Sequence, residues 1–271
     1  MITWLTEPFE LDFMQRALVA GTLAGVNCAA IGVYIVQRRM SFFGGALSHT
    51  VLPGMVFAFL RGIDIFWGAL AAALATAFGV GWLVKRREVS EDAAIGVFLS
   101  GMFALGILMM SQVNSFRDFN ALLFGSVLGV TPADLGLTAI VTLITLGTLF
   151  AYHKELELAS IDPEYAQVIG ARPNQLRTLL LALTALSVVT AVRVVGALMA
   201  TALLITPAAA ALLWARSIVG AMLIATGISV FSAVCGLIVS YHYDLSSGAS
   251  IVLTATACFG LSWLLRVVLK R

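Results

Sequence analysis

The stretch MSFFGGALSHTVLPG, residues 40–54, sets Ser48, His49 and Thr50 side by side in an apolar run that also holds three glycines and a proline. Of these groups only the imidazole both titrates and ligates. A neutral ring binds Mn2+, Fe2+ or Zn2+ through one nitrogen while a hydrogen bond fixes the other. An ionisable side chain inside a membrane costs roughly 2.5 kcal/mol or more on insertion scales, so such residues face a bundle interior or a water-filled path. On its residues alone, His49 is either a buried, hydrogen-bonded histidine or a pathway residue. Gly44, Gly45 and Gly54 allow close backbone approach around it.

Other polar positions are fewer. Asn27, in AGVNCAA, either bonds a neighbouring helix or lines a path. His242 and Asp244, in YHYDLSSGAS, either line an entrance or belong to a solvated outer loop, and Arg117 and Asp118 invite the solvated reading. Cys28, Cys235 and Cys258 lie in apolar runs without CxxC spacing and read as small buried hydrophobes, as Met109 and Met110 read as core filler. The chain contains no GxxxxGK[ST], HExxH or GxSxG pattern and no paired-carboxylate arrangement. An enzyme acting alone is not expected.

The elements that must position these groups follow from composition. Of 271 residues, 61% are hydrophobic and 11% charged, against about 45–50% and about 25% in a soluble globular chain. This is the signature of an all-α polytopic membrane protein forming one transmembrane domain over 1–271. A net charge of +2 excludes a general nucleic-acid binder. The acidic start, with Glu7, Glu10 and Asp12 before the first base at Arg16, does not suggest a cleavable signal peptide.

A bilayer core of about 30 Å needs roughly 20 apolar residues per helix. Spans are expected at 14–36, 43–60, 65–84, 93–110 and 133–152, two more within the continuous apolar stretch 176–215, and two at 218–241 and 249–269. That gives nine by hydropathy. The run 121–130, ALLFGSVLGV, is too short to span and is re-entrant or interfacial.

The Lys/Arg bias orients them. Arg38 and Arg39 follow the first span, Lys85, Arg86 and Arg87 the third, and Lys154, Arg172 and Arg177 flank the break after the fifth. Arg216 fits the same side, and Arg266, Lys270 and Arg271 close the chain there. With these clusters cytoplasmic, the N-terminus is outside and the C-terminus inside. Arg61, Arg117 and Arg193 are then isolated charges on the outer side.

The longest connection, about 153–175, carries clean helix punctuation. Asp162 is an N-cap candidate, Pro163 suits the first helical position and Glu164 complements the positive helix end. Gly170 supplies a left-handed stop, with Pro173 shortly beyond. The expected helix of about two turns, roughly 10 Å, is either an ordinary capped loop helix or a rigid knob for a cytoplasmic partner.

The whole chain resembles the permease subunits of ATP-binding-cassette importers for manganese, zinc and iron, the ABC-3 family. The resemblance rests on FMQRAL, RRMSFFGGALSHTVLPG, LLFGSVLGV, ASIDPEYAQVIGARP, VVGALMATALLITPAAAA and DLSSGASIVL, in this order along the chain. It implies a type II importer-like permease, usually of eight spans, in the inner membrane of a bacterial cell. The implied machine has two permease copies, as a homodimer, and two cytoplasmic ATP-binding subunits that hydrolyse ATP. An extracytoplasmic metal-binding protein delivers the cargo. Asp162, Pro163, Glu164, Tyr165, Gly170 and Pro173 fall in the segment that docks on the ATPase in that family.

The resemblance also implies that His49 ligates metal on the translocation path. The family places a carboxylate four residues earlier, one turn away on the same face. Here that position is Gly45. Without the acid the site is less negative and less suited to manganese, and Ser48, Thr50, backbone carbonyls or water are expected to complete the shell. The motif as a whole ranks manganese first, then zinc, then iron. The competing classes are a channel or proton-coupled secondary transporter, which needs acids within the membrane and for which the spans are expected to carry none, and a regulatory membrane subunit without a path.

Overall fold

The computed structural model describes residues 7–85, 89–111 and 129–269. Among them there is no strand. After a 3-10 turn at Glu7–Glu10, the α-helices are α1 (Asp12–Gln37), α2 (Ser41–Thr50), α3 (Leu52–Arg61), α4 (Ile65–Lys85), α5 (Glu91–Met110) and α6 (Pro132–Ala151). Then come α7 (His153–Ile161), α8 (Pro163–Val168), α9 (Pro173–Val195), α10 (Ala197–Leu212), α11 (Ile218–Tyr243) and α12 (Ser247–Leu269). The short run 121–130 falls almost wholly outside the described residues, as do Arg86, Arg87, Arg117, Asp118, Lys270 and Arg271.

Eight segments among the described residues are long and apolar enough to cross a membrane, with α2 and α3 forming one of them. The stretch 176–215, expected to supply two full spans, is unequal. It folds as the 23-residue α9 and the 16-residue α10, separated by Gly196. At 1.5 Å per residue α10 is about 24 Å long, short of a bilayer core of about 30 Å. The break is local chemistry: Gly196 has φ 87°, a backbone region that residues with a Cβ avoid.

Side-chain contacts give the helix directions. Ser187 of α9 donates to Asn27 Oδ1 of α1 at 3.2 Å, while Arg177 and Arg38 line one cavity, so α9 runs against α1. Met199 of α10 lies by Gly21 and Ala208 by Gly32, so α10 runs with α1. One end of the bundle therefore gathers Arg38, Arg39, Lys85 and Arg177, and the other Asp64, Asp134 and Arg193.

In lipid no hydrophobic force pulls helices together, so close packing of small residues and interhelical hydrogen bonds do so. Gly32 shows the first: a Cβ there would run into the Leu204 carbonyl of α10. Asn27, 1% exposed, shows the second, which decides its role as a helix–helix bond. Cys28 is fully buried.

Asp134 corrects the expectation that the spans carry no acid. It sits in the first turn of α6, where it and Thr131 form a reciprocal cap: Thr131 N donates to Oδ2 at 3.1 Å and Asp134 N to Thr131 Oγ1 at 3.3 Å. Its other oxygen accepts from Arg193 Nε at 2.7 Å.

Candidate functional site

The expected span 43–60 is divided at Val51 into α2 and α3, with Pro53 in the first turn of α3. A proline has no N–H to give to the carbonyl four residues earlier. Here that carbonyl belongs to His49. The chain thus loosens its backbone at the residue that carries the imidazole, leaving the His49 carbonyl without its regular helical donor.

Helix phase then sorts the side chains of α2. Phe42, Gly45 and His49 lie on its outward face, and His49 is exposed in the single chain. Its ring stands edge-on to Phe103 of α5, with centroids 5.8 Å apart and planes at 80°. One turn back, a Cβ built on Gly45 meets nothing within 4 Å. The neighbouring Gly44 faces the opposite way, against the Leu204 side chain of α10.

Ser48 and Thr50 go inward. Ser48 is 1% exposed and its hydroxyl has no partner among the described residues. Thr50 is fully buried and donates to the Leu47 carbonyl at 3.2 Å. The structure therefore does not bring these two hydroxyls to the His49 face. Among the described residues no three His, Cys, Asp or Glu side chains gather in a group that could hold a metal ion. What the outward face offers is one imidazole, a loosened carbonyl and an open position at Gly45.

The 153–175 connection lies at the basic end of the bundle. Asp162 caps α8, its Oδ1 accepting from Glu164 N at 3.1 Å and Tyr165 N at 2.9 Å, and Pro163 opens the helix. Gly170, at φ 89°, stops it in the left-handed region, and Gly170 N and Ala171 N return to the carbonyls of Gln167 and Ala166 at 3.0 Å. Pro173 begins α9. Ala166 is buried against the bundle, while Tyr165, Val168 and Ile169 stand exposed. The knob so built is six residues, about 9 Å long, with an apolar outer surface.

Two features here were hidden in the sequence. The first is α7, a helix that precedes the capped one. Tyr34 OH and His153 Nδ1 are 2.8 Å apart, and Arg38 Nε donates to Ser160 Oγ at 2.9 Å. The second is a cavity of about 320 Å3 under the segment, lined among others by Arg38, Glu91, Ser160, Pro163, Pro173 and Arg177. Burial there lowers the Arg38 pKa, with Glu91 pulling it back up and Arg177 adding to the lowering.

Comparison with known proteins covers nearly the same stretch each time. A probable iron transport system membrane protein of Haemophilus influenzae is 37% identical over 259 residues, 96% of either chain. The manganese transport system membrane protein MntC of Listeria monocytogenes is 36% identical over 255 residues, 94% of this chain and 91% of that one. The solved structure of PsaBC from Streptococcus pneumoniae in complex with Fab has the same fold, with a TM-score of 0.86 at 34% identity over 97% of this chain and 95% of that one. Residues 10–266 match the ABC 3 transport family, and with relatives this similar along almost the full length, the chain belongs to that family.

Proposed function

We propose that this chain is the permease subunit of an ATP-driven importer of a divalent metal, with His49 on the translocation path. The observation that carries this reading is the outward face of α2: an exposed imidazole beside open space at Gly45, on a helix whose hydrogen bonding Pro53 interrupts. One chain supplies too few ligands for a stable shell. A second copy facing it across a two-fold axis doubles the set to two imidazoles and two loosened carbonyls. A sparse shell suits a site that an ion must leave as well as enter.

Manganese comes first among the cargoes, as several relatives are named for manganese transport, with zinc and iron after it. The basic end is cytoplasmic, following the positive-inside bias. There the capped segment from Asp162 to Gly170 docks on an ATP-binding subunit through Tyr165, Val168 and Ile169, two such subunits serving a permease pair. A metal-binding protein delivers cargo at the opposite end, and the assembly sits in a bacterial cell membrane.

The test is uptake of radiolabelled Mn2+, Zn2+ and Fe2+ by cells carrying the complete system, with and without His49→Ala. The variant is expected to lose uptake of the transported metal while the assembly forms at normal levels. Uptake at the wild-type rate would return His49 to a packing role.

A further inference from the structure

We propose that Tyr34 and Arg38 form the joint through which movement of the 153–175 segment reaches the helix carrying His49. This rests on the importer reading above.

Tyr34 and Arg38 are four residues apart, one turn along the same face of α1 and its C-cap. Their partners on α7, His153 and Ser160, are seven apart, about two turns. Two attachments at different heights hold α7 in both position and angle. The first is also braced: the other ring nitrogen of His153, Nε2, lies 3.3 Å from Glu157 Oε2 on the same helix. Tyr34 is fully buried, so its ring cannot swing aside to absorb a displacement.

The chain then turns from α1 into α2 with no slack. Arg38 N, Arg39 N and Met40 N return to the carbonyls of Tyr34, Val36 and Ile35 at 3.0, 3.0 and 2.9 Å. Arg39 takes the left-handed conformation, φ 61°, uncommon for a residue with a Cβ. Met40, 1% exposed, plugs the corner. Ser41 begins α2, and His49 lies eight residues on, about 12 Å along the axis. A push on α7 therefore arrives at the base of the His49 helix through one rigid corner.

The cavity beside this corner supplies somewhere to go. Arg38 Nη2, Glu91 Oε1 and Arg177 Nε are buried there without partners among the described residues. They come from the end of α1, from α5 and from α9. Each residue thus keeps one polar atom unbonded beside a gap, while Arg38 holds Ser160 and Arg177 holds the Gly81 carbonyl through their other nitrogens; in the second arrangement we infer, the gap closes and Glu91 pairs with the two guanidiniums. A coupling path is physical where such a two-position element lies between the sites.

The test uses the complete assembly in proteoliposomes, with Mn2+ as cargo and hydrolysis measured alongside. Tyr34→Phe combined with Ser160→Ala removes both attachments while keeping the buried ring. Metal moved per ATP hydrolysed is expected to fall at least tenfold, with subunit assembly and Mn2+ binding unchanged. Ser160→Ala alone, at a half-buried helical position where alanine is favoured, is expected to lose about threefold and serves if the double variant fails to assemble. A wild-type ratio in whichever variant assembles overturns the joint.

A second readout does not depend on cargo. Spin labels at exposed Val168 and Phe42 report the segment and α2 on ATP binding. Both are expected to move in the wild type, and only the Val168 label in the variant. If wild-type assemblies carry none of the three metals, the importer reading fails, and the labels still decide the joint: unchanged movement at Phe42 in the variant overturns it.

Discussion

Arg193 Nη1 meets Asp64 Oδ1 at 2.7 Å across 129 positions of sequence, while Nε of the same guanidinium holds Asp134 at 2.7 Å. One side chain thus fastens the start of α4 and the start of α6 to the end of α9, three residues before the chain breaks at Gly196. The guanidinium also lies over the Phe66 ring, 5.7 Å from its centroid.

Arg193→Met is expected to lower stability by about 1 kcal/mol, because exposed ion pairs are worth roughly 0–1 kcal/mol each and are screened by salt. Asp64 is half exposed at 51% and Asp134 only 15%, so the Asp134 contact carries more of the effect. Thermal unfolding in detergent at low and high salt checks this. The gap between wild type and variant should shrink with salt; a gap that stays constant argues for lost packing on Phe66 instead.

Gly45→Asp is expected to fold normally, since the new Cβ meets nothing within 4 Å and glycine is the poorer helix former by a few tenths of a kcal/mol. The added oxygen ligand should raise Mn2+ binding several-fold and shift competition away from Zn2+. Competitive uptake with the two labelled metals measures the shift. An unchanged Mn2+ to Zn2+ preference would mean that position 45 does not face the ion.

Gly170→Val should strain the stop of α8 by about 1–2 kcal/mol, because φ 89° places a Cβ against the backbone. Open space around Gly170 rules out a packing clash as the cause. Normal amounts of permease in the membrane with weakened ATPase association, read by co-purification, are expected. Full association at wild-type transport rates would remove the segment from the docking role.

A single cysteine at Ala171, with Cys28, Cys235 and Cys258 replaced, should resist impermeant thiol reagents in intact cells and react in inverted vesicles. Labelling from outside in intact cells would reverse the assignment of the basic end.

What could be read from sequence was what depends on near neighbours. Asp162, Pro163 and Gly170 act within one turn of themselves, so the capped helix was legible. The break beside His49 was not read, since 43–60 was expected as one span, although Pro53 carries the signal for it. Arg193 was legible only as an isolated outer charge, because its partners come from distant helices. Ser48 and Thr50 stand next to His49 in sequence, yet successive helical residues are about 100° apart, and that rotation turns both into the bundle. The two oppositely directed helices expected in 176–215 are there, but Gly196 makes the second shorter than its apolar run, since hydropathy measures apolar length and not where a backbone turns. The helix α7 was missed because HKELELASI is half polar and its reason to be helical lies in α1.

The emptiness around Gly45 also bears on descent. Glycine and aspartate codons can differ by a single base, and the first carbon such a change adds meets no neighbour within 4 Å. A lineage can therefore shed or regain an acid at this position in one step, without remodelling α5 or α10. At Gly44 the same step needs the Leu204 side chain to move aside. Position 45 is thus a low-barrier place for an acid to appear or vanish while the fold stays the same.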